Sequence, residues 1–257
     1  MSPRVTAFFD PATYTITYVA AEPDGAHAVV IDTVLDFDQA SGRTGTDSAD
    51  KLIAFVREQG LTIDWILETH AHADHLTAAP YVKEALGGRI GVGAAITGVQ
   101  RVFAALYNIE AVVSGDGAEF DHLFEDGERV AIGAMELQAM ATPGHTPACT
   151  TYAVGDAAFT GDTIFMPDFG TARCDFPDGS AAQLYHSIRR ILSLPPETRI
   201  FVGHDYAPGE RNYAWETTVA AERAGNIHVR DGIDEAEFVR MRTERDTTLE
   251  APGLLLP

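Results

Sequence analysis

The sequence predicts an α+β fold in which sheets are covered by helices and functional groups gather at strand ends. Three observations predict it. Strands with period-two apolar spacing occur as hairpins. Other strands alternate with amphipathic helices, the pattern of layered sheets and helices. Four separated segments each end a strand in a metal-competent side chain, and open sheets bind ligands at strand ends.

The elements follow in order. Tyr14, Ile16 and Tyr18 alternate with threonines, as a half-buried strand does. EPDG at 22–25 is a turn and HAVVID at 27–32 is the return strand. TDSADKLIAFVREQG opens with capping residues, carries Leu52, Ile53 and Val56, and stops at Gly60, so it is a helix. TIDWILET is a mostly apolar strand leading into ETHAHADHLTAAP at 68–80. The next helix ends at Gly87 and Gly88, before the short strand RIGV. TGVQRVFAALYN is helical, and MELQAM is a strand running into TPGHTPAC. TTYAVGDAAFTGD is a hairpin turning at Gly155 and Asp156. GSAAQLYHSIRRILSLPP is a helix with Leu184, Ile188, Ile191 and Leu192 on one face. RIFVGHD is a strand that again ends in a histidine. ETTVAAERAGN and DEAEFVRMRTERD are helical.

Composition narrows the function classes. Hydrophobic residues make up 46% and charged residues 22%, enough apolar content for a sizeable core. The formal charge is −20, from 18 basic and 38 acidic residues. That balance disfavours nucleic acid and anionic membrane surfaces, which attract clustered Lys and Arg. No apolar run approaches the roughly 18 residues of a spanning helix. The start, MSPRVTAFFDPATYTITYV, places Asp10 and Pro11 where a signal peptide is apolar. Cys149 and Cys174 form neither a disulfide framework nor a CxxC motif, so a reducing cytoplasm is expected. No repeat or linker-like tract divides the chain, and residues 1–257 read as a single domain. The acidic tail helix reads as a solvated face or a homo-oligomer contact.

The four strand-end segments are ILETHAHADH, MATPGHT, AFTGDT and FVGHDY. They contain His70, His72, Asp74 and His75, then His145, Asp162 and His204. His70 and His72 are two apart, so an extended backbone points them the same way. Asp74 and His75 turn towards an adjacent point, so one loop serves two neighbouring metal positions. Asp162 is an oxygen donor able to bridge two metals or bind one. Imidazole and carboxylate suit both zinc and iron. Two zinc ions activate water for hydrolysis, whereas two histidines and a carboxylate suit Fe(II) and O2.

The run Thr69, His70, His72, Asp74, His75 is T-H-x-H-x-D-H, and it resembles the metallo-β-lactamase superfamily along essentially the whole chain. The resemblance implies an αββα four-layer sandwich with the site at one edge of the two sheets. It implies one metal position at His70, His72 and His145. A second would use Asp74, His75 and His204, with Asp162 between. The antibiotic-hydrolysing branch commonly has Cys where this chain has Asp162, which argues against lactam hydrolysis.

The segments GDTIFMPDFGTARCDFPDGSAAQLYHSI, GDGAEFDHLFEDG and FVGHDYAPGERNYAWETTV resemble the persulfide dioxygenase (sulfur dioxygenase) family. They are most similar to its bacterial branch, which includes proteins labelled β-lactamase hydrolase-like. That resemblance implies oxidation of glutathione persulfide by O2 and water to sulfite and glutathione. It implies one Fe(II) per chain, held by His70, His145 and Asp162. His72, Asp74, His75 and His204 then orient those ligands and tune the metal. The alternative is a glyoxalase II-like hydrolase of glutathione thioesters using one or two Zn(II). That family usually has a second histidine shortly after the H-T pair, where this chain has GHTPACT, and a helical glutathione-binding domain beyond GHDY. The dioxygenases continue past the position of GLLLP with a tail that lines the thiol site.

Arg173 in GTARCDF matches the family's substrate-binding arginine, and a guanidinium fork suits a carboxylate. An ion pair with Asp175 is the competing role. Tyr206 is a hydrogen-bond donor towards substrate or a packed aromatic. Thr146 contacts substrate or fixes its loop, and Asp205 anchors His204 or shapes a turn. Cys149 and Cys174 read as small apolar residues. His27, His122, His186 and His228 read as structural or solvated.

Overall fold

The computed structural model describes residues 1–250. The chain begins with β1 (Arg4–Phe9), antiparallel to β2 (Ile16–Ala21), which is antiparallel to β3 (His27–Ile31). β4 (Val34–Asp38) and β5 (Arg43–Gly45) make a small hairpin before α1 (Asp47–Glu58). β6 (Thr62–Glu68) runs parallel to β3. β7 (Leu76–Thr77) pairs with β4 and leads into α2 (Ala79–Leu86). β8 (Arg89–Gly93), α3 (Ile96–Tyr107) and β9 (His122–Phe124) follow. The first sheet is ordered β1-β2-β3-β6-β8-β9.

β10 (Arg129–Ile132), β11 (Met135–Ala141), β12 (Thr150–Val154) and β13 (Ala157–Gly161) open the second sheet as an antiparallel meander. α4 (Ala181–Ile191) crosses over to β14 (Arg199–Val202), which runs parallel to β13. β15 (Glu216–Thr218) closes that edge, and α5 (Val219–Gly225) and α6 (Glu235–Asp246) follow. Among the described residues no helix is long and apolar enough to cross a membrane.

The packing explains the layers. Tyr18, Leu67, Tyr152, Phe159 and Phe201 lie between the two sheets in one apolar cluster. The outer face of the first sheet packs Val19, Val30 and Ile66 against Leu52, Ile53 and Val56 of α1 and Val82 of α2. The second sheet packs Ile200 and Val202 against Leu184, Ile188 and Ile191 of α4 and Phe238 of α6. Helices, sheet, sheet and helices form the αββα sandwich. Each fully buried side chain of this size contributes about 1.5–3 kcal/mol.

Two local expectations differ. The strand expected from Tyr14 begins at Ile16. Tyr14 itself is left-handed (φ 62) in the β1–β2 turn, where the Asp10 carboxylate accepts from the Ala12 and Thr13 amides. Glu216–Thr218 is a strand rather than the start of a helix, because it pairs with β14 and its threonines suit an extended edge. β1 carries no clean alternation and is held by its pairing with β2. The GLLLP segment lies outside the described residues.

Candidate metal centre

The loop after β6 carries the T-H-x-H-x-D-H run, and a buried carboxylate from the neighbouring strand organises it. Asp32 follows β3, in a left-handed conformation (φ 53). Its two oxygens accept from the Thr69 amide (2.7 Å) and the Thr69 hydroxyl (2.8 Å). Thr69 Oγ1 also lies 2.9 Å from His70 Nδ1. The hydroxyl has one proton and gives it to the acceptor-only carboxylate, so His70 Nδ1–H donates to Thr69. His70 Nε2 therefore keeps a bare lone pair.

The same logic fixes His145, which follows β11. Its Nδ1–H donates to the Arg173 carbonyl (2.8 Å), which frees Nε2. Gly144 before it has φ 147, and a side chain there would press into the backbone of Leu184. Asp162 follows β13 through Gly161, where a Cβ would meet the Thr69 side chain. Asp162 Oδ2 lies 3.8 Å from His70 Nε2 and 3.8 Å from His145 Nε2. One ligand atom from each of these three residues falls within 4.8 Å of the others.

A second group lies beside the first. His75 Nδ1–H donates to the Leu76 carbonyl (3.1 Å). His204 Nε2 is 3.3 Å from Asp74 Oδ2 and 3.4 Å from Asp162 Oδ1. Among the described residues, His75 Nε2, Asp162 Oδ1 and His72 Nδ1 are buried and have no hydrogen-bond partner. Buried polar atoms are rarely left so, and metal cations at the two neighbouring groups answer the His75 and Asp162 atoms. The residues present thus fit a metal.

His72 behaves differently from its neighbour. The i, i+2 spacing does set the rings of His70 and His72 side by side, 4.2 Å apart. His72 Nε2, however, turns into two buried carboxylates, 3.0 Å from Glu68 Oε2 and 3.3 Å from Asp32 Oδ1. Its Nδ1 is left buried without a partner.

Electrostatics separate the same groups. Burial, reinforced by neighbouring imidazoles, holds His70 well below the ordinary histidine pKa. Burial also lowers His145, and with His72 it brings His75 to about 4. Neutral imidazoles are the metal-binding form. Burial disfavours a charged His72, but Asp32 and Glu68 outweigh it and hold His72 well above the usual value. Burial raises the Asp162 carboxyl, against His204 and His145.

A cavity of 1040 Å3 opens over Asp162, His145, Asp74, His75 and His204. Arg173 and Tyr206 line it. The Arg173 guanidinium already grips Asp175 through Nε and Nη2 (2.6 Å each) and the Glu250 carbonyl through Nη1 (2.6 Å). Tyr206 stacks on His204 (5.8 Å, 13°) and is 42% exposed, so it caps the ligand while facing the cavity. Thr146 is buried, and its amide and hydroxyl meet Cys149 Sγ at 3.3 and 3.2 Å, so it ties the His145 loop. Burial pushes the Cys149 thiol up to about 12, and it stays protonated. Asp205 is buried, accepts from both Arg211 terminal nitrogens (2.7 and 2.6 Å) and from the Ala214 amide (2.7 Å), and so fastens the loop after His204.

The other histidines sit apart. His27 pairs with Asp64, His122 with Glu128 and His186 with Glu235, while His228 accepts from the Thr171 amide. Sequence reasoning did not single out Asp32, Glu68 or Arg211. Asp32 had a legible signal, since it too ends a strand, in HAVVID.

Comparisons with known proteins agree with this geometry. A probable metallo-hydrolase of Burkholderia pseudomallei is 52% identical over 98% of this chain and 90% of its own length. A β-lactamase hydrolase-like protein of Xylella fastidiosa is 49% identical over 99% of this chain, and the chain spans only 59% of that longer relative. The mitochondrial persulfide dioxygenase ETHE1 of Homo sapiens is 33% identical over 77% of this chain and 66% of its own length. The crystal structure of ETHE1 from Myxococcus xanthus superposes with a TM-score of 0.76 at 29% identity, covering 99% of this chain and 95% of that one. The family model of the metallo-β-lactamase superfamily matches residues 12–204, from the β1–β2 turn to the last candidate ligand. With that match, and the buried histidine and aspartate ligands described above, the chain belongs to the metallo-β-lactamase superfamily of metalloenzymes.

Proposed function

We propose that this chain is a persulfide dioxygenase, a non-haem Fe(II) oxidoreductase. Glutathione persulfide, O2 and water give glutathione, sulfite and two protons. The S–S bond breaks, the outer sulfur is oxidised and O2 is reduced. The observation that carries the proposal is the set of two histidines and one carboxylate, His70, His145 and Asp162, with both imidazoles presenting bare Nε2 atoms. One iron held there would supply O2 activation and a place for the substrate sulfur.

The protein's own part is positioning. Asp32 and Thr69 hold His70, and the Arg173 carbonyl holds His145. Asp74, His75 and His204 line the cavity beside the ligands, and Tyr206 covers His204 at the cavity wall. Arg173 binds a glutathione carboxylate only by exchanging Asp175 for it. The 33% identical persulfide dioxygenase and the ETHE1 structure support this reading. Two free, buried thiols, Cys149 and Cys174, fit a reducing cytoplasm.

A second reading has its own observation. The unpartnered His75 Nε2 and Asp162 Oδ1, beside Asp74 and His204, make room for a second metal. That favours a binuclear zinc hydrolase of glutathione thioesters, and a 52% identical relative carries a metallo-hydrolase name. Metal content per chain, O2 uptake with glutathione persulfide and anaerobic thioester cleavage separate the two. One iron and O2 consumption with sulfite release are expected. An iron-loaded protein that takes up no O2 with intact persulfide overturns the proposal.

A further inference from the structure

The cavity over the ligand set has a neighbour. A second cavity, of 450 Å3, lies on the other side of His145. Ile96, Val99, Val102 and Phe103 of α3 wall it, with Ile109 and Val113 from the segment that follows. Ala73, His145 and Phe176 line both cavities. Phe176 stands edge-on to the His145 ring (5.0 Å, 84°), and Ala73 offers only a methyl group. The second cavity also touches His72, whereas Asp162, His75 and His204 face the first.

The two spaces differ in chemistry. The first holds arginines, aspartates and tyrosines. The second is mostly apolar, and most of its polar side chains are engaged: Gln100 and Glu119 bond to each other (2.8 Å), Gln100 accepts from the Gly117 amide (3.0 Å), Thr146 meets Cys149 and His72 meets Glu68. Asp178, which also lines it, is exposed, so little is left away from the surface to hold water. An ionic thiol would lose its hydration in that space.

We infer that the second cavity is the route by which O2 reaches the ligand set, while the thiol substrate enters through the first. The inference rests on the dioxygenase reading, which requires two substrates at one centre. A tripeptide persulfide is large and charged, and it belongs in the wide polar cavity. Once seated, it obstructs that approach. O2 is small and uncharged, and it partitions into apolar surroundings. The apolar cavity reaches His145 without crossing the first.

Val102→Trp tests it by placing an indole in the second cavity from a half-buried helical position. The KM for O2 should rise by roughly fivefold, with the persulfide KM and the kcat at saturating O2 unchanged. Xenon is the independent probe. Xenon-pressurised crystals of the metal-loaded wild-type protein should show xenon between α3 and His145, and Val102→Trp should lose it. If Val102→Trp does not fold, Val113→Phe carries the same expectations. A folded variant that loses xenon yet keeps the wild-type KM for O2 overturns the route and leaves the dioxygenase reading standing. A wild-type protein that consumes no O2 overturns both.

Discussion

The two sheets build one site by different means. The first delivers His70, His72, Asp74 and His75 on a single loop and braces it with buried side chains. Asp32 holds Thr69, Thr69 holds His70, and Asp32 with Glu68 holds His72. The second delivers His145, Asp162 and His204 from three separate strand ends. There the backbone carries more of the load, through the Arg173 carbonyl on His145 and the close approach at Gly144 and Gly161. The first half is therefore tunable by single side-chain changes. The second depends on strand placement.

The sharpest break lies between ligands and supports within the second half. His145→Ala or Asp162→Ala removes a donor at the point where three ligand atoms meet, and metal retention should be lost. His204→Ala should leave one metal per chain if the centre holds a single iron. Metal content by elemental analysis checks both. Equal loss in His145→Ala and His204→Ala would favour a two-metal centre.

Bracing in the first half should give a smaller, graded effect. Asp32→Asn keeps the size of the side chain but replaces one acceptor oxygen with a donor. It disturbs the orientation of His70 and His72 together. Metal affinity should fall roughly 10–100-fold, as outer partners of metal ligands commonly show. Chelator competition measures it. Wild-type affinity in a folded Asp32→Asn would show that the bracing is merely structural.

These differences also explain what was legible in the sequence. The ligands were readable because a short local run encodes four of them, and the remainder repeat one layout, a strand ending in a donor. The αββα layers followed from that resemblance, and hairpin and helix patterns located most elements around them. β1, β4, β5, β7, β9 and β10 were not read; all but β4 are short or edge strands, and β4, central in its small sheet, is likewise defined by its pairing partners rather than by alternation. The bracing was not readable either. Asp32 meets Thr69 across 37 positions, and His145 meets Arg173 across 28. Arg173 illustrates the limit, because its carbonyl orients a ligand while its guanidinium takes the Asp175 pairing the sequence had offered as the competing role.

In the second half, charge burial is handled by a distant cation. Arg211 reaches both Asp205, whose side chain is fully buried, and Asp168. Arg211→Ala strands the Asp205 carboxylate without its counter-charge. Because Arg211 is itself partly exposed, the destabilisation should fall at about 3 kcal/mol, the low end for a broken buried pair. Denaturant unfolding reads it, and a change below about 0.5 kcal/mol, the scale of ordinary surface substitutions, would contradict this role.

Glu222 sharpens the contrast furthest, because it is a buried acid with no cation. The acids of the first half face His72. Glu222, with no exposed surface, has Oε2 bonded to Asn226 Nδ2 (2.6 Å) and the Thr217 side chain as a further hydrogen-bond partner, and burial outweighs both. Burial raises its pKa from 4.5 to about 8. Between those values the folded chain keeps a proton that the unfolded chain has released. Stability from this group is present at low pH and falls as pH rises towards 8. Glu222→Gln keeps an acceptor for Asn226 and cannot ionise. The variant should match wild type at pH 5 and exceed it at pH 8 by on the order of 2 kcal/mol. Asn226 also donates to the Gly170 carbonyl and accepts from the His228 amide, and His228 accepts from Thr171. The ionisation of Glu222 is thus felt in the segment that leads to Arg173. Unfolding curves of both proteins at the two pH values decide it. Parallel stabilities across that range would mean that Glu222 is already compensated, and that the two halves bury acids alike.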